Sequence, residues 1–481
     1  MAYNFIKDNR KLICAINQII CASTGCLGSP VFLPIFHKLT SYRLEKGEIM
    51  WYNKIKTLSD KRRVLMSERL VFHIDVNSAF LSWEAARRVS AGQEDIRLIP
   101  SAIGGDRDKR TGVILAKSIP AKKYGVKTGE PVGMALKKCP QLYLARPDFR
   151  LYEKCSHAFM DICREYTPSL EKFSIDECFL DMSGMGNIYP DPVATAYEIK
   201  DRIKRELGFT VNVGIGSNKL LAKMASDFEK PDKVHTLLAS EVPEKLWRLP
   251  VRELFTVGAS TADKLERACI ATIGDLARLD IHILHGLVCN KMGDQLHRFA
   301  NGIDDSPVLE HPEKAKGYSN STTLENDVTG VEEAYKILLA LADSTASRMR
   351  ADGARAYCIG VTIRGNDFRD RSHQRKLDEA TDITTEIFSV CRSLFSELWD
   401  RKTPLRLLGV SLTNVTYEDE EQMSLFDNEK RDKARAIDKT VDSIRNKFGS
   451  NTIMRGVTYK SSVDVGKKHK AQIDERNKDK K

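Results

Sequence analysis

Three acidic residues follow two apolar segments of the sequence. Asp75 lies near the end of the run RLVFHIDV (69–76), and Asp176 and Glu177 come directly after residues 171–175. Both segments have the β-branched and aromatic content that is typical of strands. Carboxylate oxygens at adjacent strand ends would form a hard-oxygen site suited to Mg²⁺. Two such ions can activate a 3′-hydroxyl group and stabilise a leaving pyrophosphate, whereas a single acid at a strand end more often faces solvent.

The segments around these acids predict an α+β unit. A helical pattern follows the first strand, and the segment after the acidic pair either continues the same strand or returns as a hairpin. In chain order, the predicted elements are a strand 69–76, a helix 78–89, strands 171–175 and 178–182, a helix 192–207, a strand 210–215 and a helix 219–228. This order predicts a sheet with helices packed on one of its faces.

The remaining sequence divides into further parts. An inserted segment, about 98–145, contains the glycine-rich turn Gly104-Gly105-Asp106 and the basic run 117–127, and residues 240–302 have a helical pattern with short loops. Region 317–415 repeats the strand-helix-strand-strand-helix-strand order, with strands at 317–323, 356–363, 371–377 and 405–414 and helices near 330–350 and 382–400. An acidic linker, a helical stretch (430–447) and a lysine-rich tail from Lys467 follow.

The composition indicates a globular protein with an anionic partner. The 481 residues predict about three or four domains, and the apolar fraction of 42% is too high for a disordered chain. A formal net charge of +10 favours a partner such as nucleic acid, although many basic proteins bind none. The eleven cysteines form no CxxC pair, so the zinc-site spacing is absent, and their odd number fits free thiols in a reducing cytoplasm. Cys178, beside the acidic pair, is expected to be a small buried apolar residue.

The first 66 residues carry a second apolar region. Residues 12–36 resemble a signal peptide or membrane span in composition, but Asn, Gln, Gly and Pro interrupt the run. A spanning helix needs about 20 consecutive apolar residues. We therefore favour an upstream extension of doubtful status, with the first compact domain beginning near Met66.

Three sequence blocks resemble the conserved motifs of one enzyme family. Residues 73–80 (HIDVNSAF) and 174–181 (SIDECFLD) are similar to the two metal-binding motifs of Y-family DNA polymerases, and residues 211–230, followed by Pro231, are similar to a third motif. The blocks occur in the family's order, and the resemblance runs from about Arg69 to Asn414. Within the family, the sequence looks most like bacterial DNA polymerase IV and its Gram-positive relatives.

The resemblance implies an α+β multidomain fold shaped like a right hand. Its parts would be a palm with small fingers, a helical thumb with helix-hairpin-helix motifs, and a β-α-β-β-α-β little finger. The expected boundaries are an extension 1–66, a palm 67–97 and 146–239, fingers 98–145, a thumb 240–302, a little finger 317–415 and a flexible C-terminal segment 416–481 with a clamp-binding peptide and a basic tail. The implied activity is low-fidelity, poorly processive, template-directed DNA synthesis past lesions, without a proofreading exonuclease.

Roles at the site follow from the same resemblance. Asp75, Asp176 and Glu177 would hold two Mg²⁺ ions, and Glu177 would be the catalytic acid. Phe80, five residues after Asp75, matches the aromatic residue that excludes the 2′-hydroxyl of ribonucleotides, the sugar gate; its alternative role is an ordinary core residue of the helix.

Two lysines match the positions that contact the incoming triphosphate. Lys230 is the residue the family has at its position, whereas Lys122 stands where the family commonly has arginine. An ammonium group neutralises phosphate but lacks the bidentate fork of a guanidinium. Ile119 and Ala116 also replace the usual tyrosine and threonine of this segment. These departures concern the triphosphate-binding segment and leave the metal site untouched.

Three further regions match DNA- or protein-binding parts of the family. Val257-Gly258 and a second candidate, Lys291-Met292-Gly293, resemble helix-hairpin-helix turns, whose backbone N–H groups bind phosphate. The little-finger region is rich in basic residues, which predicts a basic DNA-binding face: Arg348, Arg350, Arg355, Arg364, Arg369, Arg371, Arg375 and Lys376. Gln422, Leu425 and Phe426 of QMSLF resemble the peptide that binds the sliding clamp.

The expected partners are primer-template DNA, deoxynucleoside triphosphates and the sliding clamp. We expect a cytoplasmic monomer that does not enter a membrane. The alternative is a catalytically weak, polymerase-like accessory factor that binds DNA and the clamp, although a scaffold would not need three acids. A nucleotidyl cyclase with a similar sheet is disfavoured by the hairpins and by the basic C-terminal region.

Overall fold

The computed structural model describes residues 69–105, 112–417, 428–449 and 452–456. The predicted extension 1–66, the peptide that contains Gln422, Leu425 and Phe426, and the lysine-rich tail lie outside these residues. In the described ranges, no helix combines the length and the apolar character that crossing a membrane requires.

The first part of the chain forms two sheets with helices around them. Its elements are β1 (Val71–Val76), α1 (Ala79–Ser90), β2 (Ser101–Gly104), β3 (Ile114–Lys117), α2 (Ile119–Lys123), α3 (Val132–Lys138), β4 (Tyr143–Ala145), α4 (Phe149–Arg164), β5 (Leu170–Lys172), β6 (Glu177–Asp181), α5 (Pro192–Leu207), β7 (Val211–Gly216), α6 (Lys219–Asp227) and β8 (Val234–Leu237). The strands and helices predicted around the acids are present, and the helix 192–207 has the predicted bounds. The strand predicted at 171–175 is shorter than expected, because it ends at Lys172 and residues 173–176 form the turn into β6. Antiparallel pairing of β5 with β6 shows that the acidic pair lies in a hairpin rather than within one strand.

The larger sheet has the strand order β5-β6-β1-β7-β8, with β1 antiparallel to both of its neighbours. Every residue of β1 and β7 is buried, so both faces of the sheet are covered. Helix α6 packs directly on the backbone of β7. A Cβ added at Gly214 would lie only 2.0 Å from the carbonyl oxygen of Ala222, so the close approach requires glycine there. Val213 and Ile215 point to the opposite face, are fully buried, and belong to a strand that α5 also contacts. Helices therefore cover both faces, which corrects the prediction of one covered face.

The inserted segment forms a separate three-stranded sheet with the order β3-β2-β4. Its small core includes Ile114, Ala121, Val126 and Val132, contributed by β3, α2 and α3 and the loops between them. This part of the chain matches the expected small fingers in extent, while the domain boundaries themselves remain predictions.

Four short helices follow: α7 (Ala259–Arg267), α8 (Ile273–Arg278), α9 (Ile281–Leu287) and α10 (Asn290–Ala300). Gly258 stands at the start of α7, as the first predicted hairpin requires. Gly293, in contrast, lies inside α10 rather than in a turn. A Cβ there would lie 2.7 Å from the His285 ring on α9, so this glycine permits the two helices to approach closely.

The last part of the chain has a four-stranded antiparallel sheet with the order β11-β10-β12-β9. Its elements are β9 (Gly317–Val328), α11 (Val331–Ala351), β10 (Arg355–Gly365), β11 (Asp370–Thr381), α12 (Thr384–Leu398), β12 (Leu405–Thr416) and α13 (Asn428–Phe448). The predicted order of strands and helices is confirmed. One sheet face and helices α11 and α12 enclose a core that includes Ile337, Ile359, Leu394 and Val410.

Helix α13 packs against α11 through ion pairs rather than through a large apolar core. Arg350 of α11 is 5% exposed and contacts both Asp438 and Asp442. Arg445 of α13 pairs with Asp343 at 2.8 Å. This helix falls in the segment that was predicted to be flexible. In the structure, buried ion pairs fix it on the little-finger region.

Candidate active site

The sheet register brings two of the three predicted acids together. Asp75 on β1 lies directly opposite Glu177 on β6. Asp176 immediately precedes β6, and its carbonyl oxygen accepts a hydrogen bond from the Val76 N–H at 3.0 Å. Opposed residues of an antiparallel pair have Cβ atoms about 4.5–5.5 Å apart. The β5–β6 hairpin therefore places all three acids at one end of β1.

Strand alternation decides what surrounds these acids. His73 and Asp75 are two residues apart and point to the same face of β1, the face that α6 covers. From α6, Lys223 donates to Glu177 Oε2 at 2.7 Å. Just beyond the end of α6, Lys230 forms an ion pair with Asp75 and a second one with Asp227 at 2.7 Å. Two ammonium groups thus stand against the acidic cluster.

Burial and hydrogen bonding act differently on the acids. Asp75 is 8% exposed, and this burial raises its pKa to about 6 although the charge of Lys230 opposes the rise. Burial also raises the pKa of Glu177, but hydrogen bonds from His73 and Lys223 outweigh that effect and lower it to about 2. Glu177 is therefore the more strongly ionised of the two carboxylates.

Asp176 is held by its own turn. The Ser174 hydroxyl donates to Asp176 Oδ1 at 2.6 Å and accepts from the Asp176 N–H at 3.2 Å. The side chain is half-buried, in keeping with its position at the open end of the sheet. The turn thereby orients the Asp176 carboxylate beside the cross-strand pair.

The donor set fits a hard divalent cation. Three carboxylates on consecutive or opposed backbone positions offer oxygen ligands only, the type that Mg²⁺ prefers. Within the ranges that the structure describes, no three acidic, histidine or cysteine side chains are already arranged around a common metal position. Two of the three carboxylates are engaged by ammonium groups, Glu177 through Oε2 by Lys223 and Asp75 through Oδ2 by Lys230.

Phe80 lies in the first turn of α1, close to Asp75 along the chain. The preceding Ser78 has a left-handed backbone conformation (φ 50°), which turns the chain sharply from strand into helix. The Phe80 ring is half-buried and stacks on Tyr152, with ring centroids 4.7 Å apart. Phe149 meets it edge-on at 6.4 Å. The ring therefore packs against other aromatic rings while it stays partly exposed to solvent.

Lys122 is not part of this cluster. It is exposed on α2, whose first turn is capped by the Ser118 hydroxyl. This helix packs beside the smaller sheet. Ile119, at the start of the same helix, is 60% exposed. Among the described contacts, none joins Lys122 to the three acids, while Lys230 directly contacts Asp75.

Sequence reasoning missed three members of the site. His73, Lys223 and Ser226 lie inside the motifs that resemble the family, but they received no role. His73 Nε2 lies 3.2 Å from Glu177 Oε2, and its Nδ1 lies 2.7 Å from Ser226 Oγ. Two patterns could have found them: the i, i+2 spacing of His73 and Asp75 on a strand, and the i, i+3 spacing of Lys223 and Ser226 on a helix.

The basic residues of the little-finger region do not form one face. Arg350 is buried beneath α13. Arg371 and Arg375 lie opposite the core residues Ile363 and Ile359, and so point to the helix-covered side. There Arg375 pairs with Glu397 of α12 at 2.6 Å. The prediction of one basic face is therefore wrong, because the strand alternation and the acids of α12 and α13 divide these side chains among different surroundings.

The middle of the helix-free face of this sheet carries small uncharged residues. The cross-strand neighbours Gly360 and Ser411 lie there, as do Gly409 and Ser321. A Cβ at Gly360 would lie 2.5 Å from the Ser411 hydroxyl oxygen, so the residues on this face fit tightly against one another. Toward β11 the same face carries charged side chains, because Lys376 lies opposite Cys358 and Asp370 lies opposite Arg364.

Comparison with known protein families gives matches along most of the described chain. The model of the impB/mucB/samB family matches residues 74–227, and the model of that family's C-terminal domain matches 315–425. Between them, a model described as the DNA polymerase-iota thumb domain matches 252–304. The first range falls within the expected palm and fingers, whereas the other two overlap the expected little finger and thumb and extend past their predicted bounds.

The chain aligns with individual relatives over nearly the whole length of those relatives. DNA polymerase IV of Clostridium acetobutylicum is 47% identical over 396 residues, which are 81% of this chain and 98% of that protein. DNA polymerase IV of Clostridium kluyveri is 38% identical over 404 residues, 82% of this chain and 99% of that protein. A solved structure of a Y-family DNA polymerase chimera has a TM-score of 0.62 at 21% identity and covers 73% of this chain and 100% of its own.

The palm-like sheet, the matched thumb domain and the extent of these similarities lead to one assignment. The chain belongs to the Y family of DNA-directed DNA polymerases and is a homologue of bacterial DNA polymerase IV.

Proposed function

We propose that the chain extends a primer along damaged or undamaged template DNA by two-metal nucleotidyl transfer. The observation that carries this proposal is the register of Asp75 opposite Glu177, with Asp176 next to them. Asp75 and Asp176 hold the metals, and Glu177 completes the site as its catalytic acid. When bound, two Mg²⁺ ions activate the primer 3′-hydroxyl and stabilise the leaving pyrophosphate.

The lysines give the site two electrostatic states. Without a cation, Lys230 and Lys223 offset the charge of Asp75 and Glu177. With a cation bound at the carboxylates, Lys230 would be free to contact the triphosphate of the incoming nucleotide. Lys122, exposed on α2, contributes a second positive charge to the triphosphate. Its ammonium group lacks the bidentate geometry that arginine offers.

Phe80 acts as the sugar gate. Its ring stacks on the fully buried Tyr152, so it cannot easily move aside. A ring held in this way excludes a 2′-hydroxyl on the incoming sugar by steric overlap and favours deoxynucleotides.

The thumb and little finger hold the DNA without reading its sequence. The turn before α7 presents backbone N–H groups near Gly258, a geometry suited to phosphate. We expect a cytoplasmic monomer with low fidelity, poor processivity and no proofreading exonuclease. We also expect Gln422, Leu425 and Phe426 to bind the sliding clamp and to offset the poor processivity; these residues lie outside the described ranges.

Primer extension with Mg²⁺ and all four deoxynucleoside triphosphates tests the proposal. The intact chain should extend the primer, and Asp176→Ala/Glu177→Ala should abolish extension while retaining DNA binding. Asp181→Ala is the matched control, because Asp181 lies on the same strand at the end away from the cluster. If the intact chain binds primed DNA but adds no nucleotide even with Mn²⁺, the accessory-factor alternative is correct instead.

A further inference from the structure

We propose that Asn77 and Asn212 are positioning residues for Lys230, because their side-chain amides hold the backbone of the loop that carries this lysine. The loop, residues 229–233, lies between α6 and β8. The inference rests on the proposed contact of Lys230 with the incoming triphosphate and deepens it. Binding of the triphosphate then depends on two amides that hold the loop and leave the nucleotide to Lys230.

Asn212 contacts the loop from β7, where its side chain is fully buried. Its Nδ2 donates to the carbonyl oxygen of Ser226 at 3.0 Å and to that of Glu229 at 2.7 Å. Its Oδ1 accepts from the Lys233 N–H at 3.3 Å and from Asn77 Nδ2 at 3.0 Å. A side-chain amide has two donor hydrogens and two acceptor lone pairs, so every hydrogen-bonding position of this amide is used.

Asn77 contacts the same loop from the end of β1 and is 8% exposed. Its Oδ1 accepts from the Asp232 N–H at 2.9 Å and from the Thr210 hydroxyl at 3.0 Å. Its Nδ2 is bound to Asn212, so the two amides form one connected pair. Together they contact the loop backbone on both sides of Lys230.

The partners of the two amides fix the orientation of each. Carbonyl oxygens can only accept hydrogen bonds, and backbone N–H groups can only donate them. If the Asn212 amide turned over, its Oδ1 would face two carbonyl oxygens, and its Nδ2 would face Asn77 Nδ2. Buried polar groups without a partner are strongly unfavourable, so a single arrangement of the pair is stable.

The outer side of the loop is held by charge. Asp232 has a left-handed backbone conformation (φ 61°), which is uncommon for residues other than glycine. Its carboxylate pairs with Lys200 and with Lys204 of α5, each at 2.8 Å. The loop backbone is therefore fixed from two sides, whereas the Lys230 side chain is 36% exposed and can be reached from solvent.

A fixed backbone matters because lysine carries a single charge at the end of a flexible chain. The position of the Lys230 backbone decides which groups its ammonium can reach, and from the fixed loop it reaches Asp75 and Asp227. A polyphosphate bound beside Asp75 lies within the same reach. Displacing a binding group by about 1 Å can lower activity about 100-fold, so loosening this loop should weaken nucleotide binding.

Hydrogen exchange of the full-length chain measures the loop directly. Asn77→Ala removes the acceptor of the Asp232 N–H, and exchange of the peptide that covers 229–233 should become up to about 10-fold faster. Thr210→Val is the matched control, because it removes the other hydrogen bond to Asn77 Oδ1 and leaves the contacts with the loop in place. Unchanged exchange in Asn77→Ala, or an equal increase in both variants, would overturn the proposal.

Kinetics of single-nucleotide insertion test the consequence for binding. Asn77→Ala should raise KM for deoxynucleotides about 10-fold with a smaller effect on kcat, and Thr210→Val should match the intact chain. When Lys230→Met is already present, Asn77→Ala should raise KM no further, because its effect passes through Lys230. An equal rise in KM with and without Lys230→Met would show general destabilisation and overturn the positioning role.

A second variant keeps the test decisive if Asn77→Ala does not fold. Asn212→Ala then carries the same measurements, since it removes the contacts with Glu229 and Lys233 and leaves the contact of Asn77 with Asp232. The exchange experiment needs no turnover, which separates the two proposals. An unchanged KM in Lys230→Met would overturn the triphosphate contact, whereas faster exchange in Asn77→Ala would still establish that the amides hold the loop.

Discussion

The guanidinium of Arg350 and the carboxylate of Asp438 lie 3.5 Å apart although 88 positions separate them in the chain. Their side chains are 5% and 4% exposed. Asp438 also accepts from the Thr384 N–H at 2.8 Å and from Arg455 at 2.7 Å. This carboxylate therefore joins α13, the end of α11 and the start of α12.

Removing this carboxylate should release α13. In Asp438→Ala, the buried Arg350 loses one of its two acids, and breaking a buried ion pair typically costs about 3–5 kcal/mol. Hydrogen exchange of residues 428–448 should rise strongly, and the free energy of unfolding should fall. Removing Glu429, whose exposed ion pair with Lys433 lies on the same helix, should cause no measurable change. Unaltered exchange in Asp438→Ala would show that other contacts hold α13.

Gly214→Ala should destabilise the palm sheet. The added Cβ would lie 2.0 Å from a backbone oxygen of α6, so the helix must move and disturb its contacts with the acids. We expect a loss of about 3 kcal/mol or more in urea unfolding. Gly133→Ala is the control, because that helical, exposed position has no atom within 4 Å of the new Cβ. It should be neutral or stabilising. Equal stability of the two variants would contradict the close packing.

Phe80→Ala should permit ribonucleotide insertion. Steric overlap of one added group costs about 1–3 kcal/mol, so discrimination against ribonucleotides should fall about 10-fold to 100-fold. The measurement is single-nucleotide insertion with matched ribo- and deoxynucleotides. Phe149→Ala removes a neighbouring ring of the same aromatic cluster and should keep the discrimination. If both variants behave alike, packing of the cluster rather than Phe80 itself controls sugar selection.

Lys230→Met should raise KM for deoxynucleotides about 10-fold or more, because a hydrogen bond to a charged group contributes about 1.5–3 kcal/mol. Its effect on kcat should be smaller, since the carboxylates that hold the metals stay in place. Steady-state kinetics of single insertions would measure both. Lys233→Met, nearby and paired only loosely with Glu229 at 3.7 Å, is the control and should match the intact chain. An unchanged KM in Lys230→Met would remove Lys230 from the triphosphate site.

Leu425→Ala/Phe426→Ala should abolish clamp binding and spare basal primer extension. Apolar anchor residues of an interface each contribute about 2 kcal/mol or more, so affinity should fall at least about 30-fold. Surface plasmon resonance with immobilised clamp measures the change, and Ser424→Ala, inside the same peptide, is the control. Equal clamp affinity of the double variant and the intact chain would rule out this peptide as the contact.

The amino-acid sequence by itself determined the order of elements and the acids of the site. Helix 192–207 was predicted with its observed bounds because the apolar period, the Asp191 cap and the glycine that follows are all local features. Asp75, Asp176 and Glu177 were found because they lie in or beside short segments of strand-like composition, which can be recognised from the sequence.

Only the tertiary structure decided the partners of these residues. The His73 ring contacts Ser226, 153 positions away, and no local pattern encodes such a pairing. Arg350 was predicted to lie on a DNA-binding face. In the structure, α13 covers it and pairs it with two carboxylates. Periodicity tells which side of an element a residue occupies, whereas the energy of a buried charge depends on which distant segment packs against that side.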